Sequence, residues 1–349
     1  MRVTYRDIIE VDKKRQLVDL DYARTVCAEP GFYLFDEEFR SVLGLSPELT
    51  CLETRDFRFA HEAGVYHRET DSIYFTSNYS AGNPIKLYRL HCESYEVEEL
   101  DYSGVIQANG ACQHKGNILY CAQGDLTHPS SLMEVNPVTG ETKTLINNFF
   151  GREFSSINDV VVHHETGDIW FTDPTYGFEQ GFKKESVLPN QVYRFSPETG
   201  ELCVVADQFD MCNGLCFNHD YTKMYVTDTG AVKMDKKKGI FTHNPKNPSV
   251  IYEYDVVDSK RLFNKRVFAF CDDGIPDGIK CDIHGNVYSG CGHGIHVWNA
   301  AGALIGKIIT GEVCANFCFS ASGMWIFSEF HLFFCSLATR GALVNVECY

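Results

Sequence analysis

Six copies of one short phrase run along this chain: a hydrophobic strand, a turn rich in Gly, Asp or His, and a second hydrophobic strand. The clearest copies are Glu62-Ala-Gly-Val-Tyr…Asp71-Ser-Ile-Tyr-Phe-Thr and Asn158-Asp-Val-Val-Val…Gly167-Asp-Ile-Trp-Phe-Thr-Asp. Asn213-Gly-Leu-Cys-Phe…Lys223-Met-Tyr-Val-Thr-Asp and Asp277-Gly-Ile-Lys-Cys…Gly285-Asn-Val-Tyr-Ser add two more, and weaker copies span 111–123 and 315–329. With Tyr74, Leu119, Trp170, Tyr225, Tyr288 and Ile326 as equivalent anchors, the intervals are 45, 51, 55, 63 and 38 residues. A repeat of that length marks a β-propeller with one blade per copy. A single blade cannot bury its own faces, so the repeat predicts one closed, all-β, six-bladed domain over residues 1–349.

The phase of the repeat points to chemistry. Glu62, Asn158 and Asn213 each lie 12 residues before their anchor, and Asp277 lies 11 before. Equivalent positions on the inner strands of a propeller converge on its axis, so these four oxygen-bearing side chains are expected to form a ring with a central metal site. Two carboxylates and two amide oxygens suit one divalent cation, Ca2+ above all. Zn2+, Mg2+ and Mn2+ fit the same donors, since no thiolate or imidazole stands in the ring to select a softer ion. Asp173 and Asp228, three past their anchors, and Gln123, four past Leu119, form a second layer. They are expected to hydrogen-bond the ligands or line a substrate pocket with Asn158.

Composition narrows the partners. A formal net charge of -16 repels nucleic acid and anionic membrane alike. No stretch approaches the roughly 18 apolar residues of a membrane span. Residues 1–17 are charged and carry no apolar h-region, which predicts no signal peptide and a cytoplasmic protein. The 15 cysteines then read as reduced, small hydrophobes, since many sit inside apolar strand patterns. Residues 1–30 read as a polar lead-in with one helix near 17–28. Phe32–Phe35 reads as the strand that closes the ring against the last blade, beside 333–336 or 342–346. The insertion over 230–249 is expected to be a lid or surface loop.

Other motifs are weaker. His293 and His296 have strand spacing and no third ligand nearby in sequence. Cys212 with Cys216, and Cys314 with Cys318, lack the partner spacing of a zinc site. The chain contains no nucleophile elbow, P-loop or dinucleotide fingerprint.

The Asn158-Asp…Trp-Phe-Thr-Asp-Pro-Thr-Tyr-Gly177 stretch, with Asn213-Gly-Leu-Cys-Phe and Pro276-Asp-Gly-Ile-Lys-Cys-Asp, resembles the gluconolactonase family. That family embraces regucalcin-like proteins, fungal lactonohydrolases and, more distantly, paraoxonases. The resemblance runs from about Phe59 to Glu329. It implies a six-bladed propeller, a divalent metal in the tunnel and metal-assisted hydrolysis of a small-molecule lactone. The family's glutamate falls on Glu62, its asparagines on Asn158 and Asn213, and its aspartate on Asp277. Where regucalcin-like members carry an arginine, this chain has Ser156, so sugar-acid specificity does not carry over. In the hydrolytic reading Asp277 or Glu62 moves the proton of the attacking water. A non-hydrolytic isomerase, cyclase or condensing enzyme on the same scaffold is the first alternative, and a metal-stabilised binding platform the second.

Overall fold

A computed structural model of the chain describes residues 2–80, 83–235 and 240–343. Its strands build six antiparallel sheets, the blades of a propeller. Blade one is Glu62–His67, Ser72–Thr76, Leu87–His91 and Val97–Leu100. Blade two is Ala108–His114, Asn117–Ala122, Ser131–Val135 and Thr142–Ile146. Blade three is Val160–His163, Asp168–Asp173, Gln191–Phe195 and Leu202–Ala206. Blade four is Cys212–Phe217, Lys223–Asp228, Val250–Val257 and Arg261–Phe270. Blade five takes Ile279–Cys281, Val287–Gly290, Gly294–Trp298 and Leu304–Ile309. Blade six takes Asn316–Phe319, Met324–Ser328 and His331–Ser336, and is completed by Glu48–Thr54.

Turn chemistry punctuates the strands. In the matching segments Asn136–Gly140 and Ser196–Gly200, the glycine adopts φ of +73° and +74° and donates back to the first residue at 2.9 and 2.8 Å. Glycine takes that left-handed conformation without the backbone strain a side chain would add. The apolar core lies between blades rather than within them. Tyr74 meets Tyr120 and Met133 between blades one and two, and Leu119 meets Phe171 and Tyr193 between two and three. Trp170 packs with Phe217 and Met224, Tyr225 with Ile279 and Trp298, and Tyr288 with Phe317 and Ile326. Phe75 and Tyr88 meet Trp325 and Phe327 where blade six abuts blade one. The anchors of blades one to five therefore bury their bulk, worth roughly 2–3 kcal/mol of transfer free energy each, against the next sheet. In blade six Trp325 does so in place of Ile326, which faces blade five. That shared need keeps the six blades in a ring.

The closing strand differs from the sequence expectation. Gly31–Leu34 pairs with Leu304–Ile309 and becomes the fifth strand of blade five, with Ile8–Glu10 parallel beyond it. The strand that pairs with His331–Ser336 is Glu48–Thr54, and Val3–Tyr5 adds itself outside that. The reason is connectivity. Every outer strand feeds the inner strand of the following blade, so the outer strand of blade six must be the segment just upstream of Glu62. Residues 344–346, the other suggested partner, lie outside the described residues. The lead-in is likewise more structured than expected, with helices Lys13–Gln16 and Leu20–Thr25, whose first turns are capped by Asp12 and Asp19. A further helix, Phe39–Leu43, buries Phe39, Val42 and Leu43. The insertion forms a hairpin, Val232–Asp235 with Ile240–His243, and its tip at 236–239 lies outside the described residues. No helix is long and apolar enough to cross a membrane among the described residues. The fourteen described cysteines are all free of disulfides.

Candidate functional site

Strand register defines the axis. The anchors pair across their hairpins with Val65, Cys112, Val161, Cys216, Lys280 and Phe317. In the first five blades the residue three before the partner is Glu62, Asn109, Asn158, Asn213 and Asp277. In blade six the counterpart of these partners is Cys318, which pairs with Trp325 rather than with the expected anchor Ile326, so the axial residue there is Ala315. The next position is Ala63, Gly110, Asp159, Gly214, Gly278 and Asn316. Most of these are small because the inner strands nearly touch. A Cβ on Gly110 would lie 2.5 Å from the Asn158 carbonyl oxygen, and one on Gly214 would lie 2.5 Å from that of Asp277.

Each blade holds its neighbour's axial residue. The Thr172 hydroxyl of blade three donates to the Asn213 carbonyl at 2.6 Å, and Thr227 of blade four donates to the Asp277 carbonyl at 3.1 Å. The residues after these threonines, Asp173 and Asp228, act on their own blades. Asp173 accepts from the amides of Ser155 and Ser156 at 2.9 Å each, and Asp228 from those of Asp210 and Met211 at 3.0 and 2.9 Å. Both carboxylates are fully buried and spend both oxygens on backbone. They clamp the loops that deliver Asn158 and Asn213. Gln123 is also buried, and its side-chain amide donates to the Gln107 carbonyl at 3.2 Å.

At the axis the side chains converge. The Asp277 carboxylate is within hydrogen-bonding reach of Asn213 and Glu62. Burial and then the Asp277 charge push the Glu62 carboxyl well above its usual range. Asp277 is pushed the same way by burial and by the charges of Glu329 and Asp159. Two carboxyls so placed hold a proton between them unless a cation relieves the repulsion. The Asn316 side-chain amide donates to Glu62 Oε2, and the Asn213 amide reaches the Tyr176 hydroxyl at 3.2 Å. Asn109 Oδ1, Asn158 Oδ1 and Asp277 Oδ1 are buried with no hydrogen-bond partner. Unsatisfied buried oxygens are costly, and three of them around a carboxyl pair fit a hard divalent cation, whose ligands are oxygens. Above the ring, His61 Nδ1 lies 3.0 Å from Glu329 Oε1. Burial would lower the His61 imidazole, but the Glu329 charge and hydrogen bond hold it above its usual value.

Below the ring the lining changes. The Asp159 carboxylate accepts from the amides of Val160 and Leu215 at 2.9 and 3.1 Å. Burial would discharge Lys280, yet the charge of Asp159 keeps its ammonium firmly protonated. Beyond this pair Cys112, Cys216 and Cys318 line a cavity of about 130 Å³ on the opposite face, covered by Ala342 and Leu343.

The repeat offset concealed Asn109. The hairpin of blade two turns through Lys115 and Gly116 alone, two residues shorter than the hairpin of blade three, so Asn109 precedes Leu119 by ten. Its Asn-Gly pairing, shared with Asn213-Gly214, was the available signal. Tyr176 and Asn316 carry no such signal, because loop and interblade geometry bring them in. Ser156, two before Asn158, donates to the Pro174 carbonyl at 2.8 Å and accepts from the Gly177 amide at 2.9 Å. Its hydroxyl is thereby committed to the loop that carries Tyr176.

Comparison with known proteins agrees with this architecture. The chain belongs to the SMP-30/Gluconolactonase/LRE-like family, whose model matches residues 61–328. It is 30% identical over 303 residues to the lactonohydrolase oryL of Aspergillus oryzae, a match spanning 81% of this chain and 68% of that one. A gluconolactonase of Zymomonas mobilis is 29% identical over 210 residues, 56% of this chain and 54% of its own. Among solved structures, a gluconolactonase from Xanthomonas campestris superposes with a TM-score of 0.72 at 24% identity, covering 88% of this chain and 95% of that one. The calcium-binding protein regucalcin from Agrobacterium tumefaciens gives 0.61 at 14% identity, covering 84% and 94%. At those identities the structural likeness speaks for the fold alone.

Proposed function

We propose that the chain hydrolyses a small-molecule lactone at the axial ring, with one divalent cation, Ca2+ first, held by Glu62, Asn158, Asn213 and Asp277. The observation that carries this reading is the set of buried, unpartnered oxygens of Asn109, Asn158 and Asp277 around the Glu62–Asp277 pair. Relatives named lactonohydrolase and gluconolactonase support the substrate class. When bound, the cation supplies Lewis acidity to the lactone carbonyl and acidifies a nearby water. Asp277 Oδ1, free of other partners, takes the proton of the attacking water and returns it to the leaving alkoxide. Asn213 and Glu62 orient that carboxylate. Asn109 and Asn158 hold the ring substituents of the substrate, and the Tyr176 hydroxyl guards the mouth beside Asn213. With Ser156 committed to its own loop, no cationic side chain at that position anchors a sugar acid, which favours a less polar lactone.

The test is a lactone panel run on metal-stripped and Ca2+-reloaded protein in oxygen-labelled water. Hydrolysis should depend on the added ion and place the label in the new carboxylate. Turnover undiminished by stripping, or product without label, would overturn the reading and leave an isomerase or a binding platform.

A further inference from the structure

Between blades four and five lies a second cluster with different donors. Cys271 follows the outer strand of blade four, Cys291 follows the second strand of blade five, and His296 lies in its third. One ligand atom from each falls within 4.8 Å of the others. All three residues are buried, His296 completely. Neither ring nitrogen of His296 has a hydrogen-bond partner. Asp272 Oδ1 comes only to 3.4 Å of His296 Nδ1 while both Asp272 oxygens receive the Lys307 ammonium at 2.9 and 2.7 Å. The neighbouring His293 is already taken by Asp273. The thiols contact each other and backbone carbonyls, Cys271 that of Asp273 at 3.0 Å and Cys291 that of Ser289 at 3.5 Å.

We infer that Cys271, Cys291 and His296 form a site for a thiophilic cation of the Zn2+ class, separate from the axial ring. A buried imidazole with two idle nitrogens is expensive, and two thiols beside it complete a borderline-soft donor set. Burial, reinforced by the Lys307 charge, holds His296 well below its usual value, so the ring is neutral and its lone pair is available. Binding converts both thiols to thiolates and releases two protons to solvent, and the ion and the two thiolates then sum to zero charge. The position suggests the role. Cys291 lies three past Tyr288, where blades three and four place Asp173 and Asp228. Those carboxylates clamp the loop before their axial asparagine. A thiol cannot accept two amides in that way, but a cation shared with Cys271 would pin residues 271–276, the loop that ends at Asp277.

The full-length protein, reduced and stripped of metal, is titrated with Zn2+ against a chromophoric chelator and separately with Co2+. With the axial ring first filled by excess Ca2+, one equivalent should bind with a sulfur-to-cobalt charge-transfer band, and X-ray absorption of the Zn2+ form should show two sulfur donors and one imidazole. The band should vanish in Cys271→Ala, and Zn2+ affinity should fall at least about tenfold in His296→Gln, whereas Asp277→Ala should keep both. Should those variants fail to fold, X-ray absorption of the unaltered protein still decides. A spectrum with oxygen donors alone, a band unchanged in Cys271→Ala, or a Cys271–Cys291 disulfide in the protein as isolated would overturn the site.

Discussion

Blades three and five solve the same placement problem with opposite charges. In blade three the axial residue is neutral, Asn158, and the residue three past the anchor is the charged Asp173. In blade five the axial residue is charged, Asp277, and its counterpart is the neutral Cys291. The other blades keep the rule. Glu62 goes with Ser77, Asn213 with Asp228, Ala315 with Ser328, and Asn109 with Ala122. No blade carries both carboxylates. Like charges a few ångströms apart in a buried setting raise each other's proton affinity, as the charges of Glu329 and Asp159 already do for Asp277. The arrangement therefore spares negative charge for the axis and lends it to loop clamping only where the axis is neutral.

Breaking the charged member of the axis should have the largest effect. Asp277→Ala is expected to lower turnover by roughly 10²–10⁴-fold, the range for loss of a general base, and to abolish Ca2+ binding measured by calorimetry. Retained Ca2+ affinity would move the ion away from this residue. Next comes the clamp of blade three. Asp173→Ala strands the two amides of Ser155 and Ser156 and should cost about 2–4 kcal/mol in urea unfolding. Burial raises the Asp173 carboxyl from 3.8 to about 7, against the opposing amide hydrogen bonds. The folded protein thus keeps a proton there that the unfolded chain has lost, and this residue's contribution to stability should fall as pH rises from about 4 to 7. Asp173→Asn should flatten that slope, and an unchanged slope would show that the carboxyl is ionised throughout.

A smaller effect is expected at the axial position of blade two. Asn109→Ala should reduce kcat/KM by about tenfold, with melting temperature unchanged, since it removes an oxygen with no internal partner. Loss of folding instead would make Asn109 a purely structural residue. Ser77→Ala should be mildest. Its hydroxyl accepts only the Lys86 amide at 2.9 Å, so unfolding should shift by about 1 kcal/mol and Ca2+ affinity should hold.

The blade count was legible because every hairpin places a bulky residue against the next sheet, and that requirement writes a period into the chain, though in blade six the residue is Trp325 and not Ile326. Glu62, Asn158, Asn213 and Asp277 were legible because their hairpins have nearly equal length. Asn109 was hidden by a turn two residues shorter, and Glu48–Thr54 by its mixed polar and apolar sequence, beside which the continuous apolar run Phe32–Phe35 is conspicuous. The work of Thr172 and Thr227 could not be read, since it crosses from one blade to another. Cys271 and Cys291 lie in different blades and meet only through packing.

The junction of Glu48–Thr54 with His331–Ser336 has a consequence for biosynthesis. Some 280 residues separate the two halves of that sheet, so five and a half blades must leave the ribosome before the disc can shut. Until then the early strand offers a bare edge to any passing chain, and the growing protein depends on chaperones or on the charges of Glu48 and Glu53 to keep that edge unclaimed.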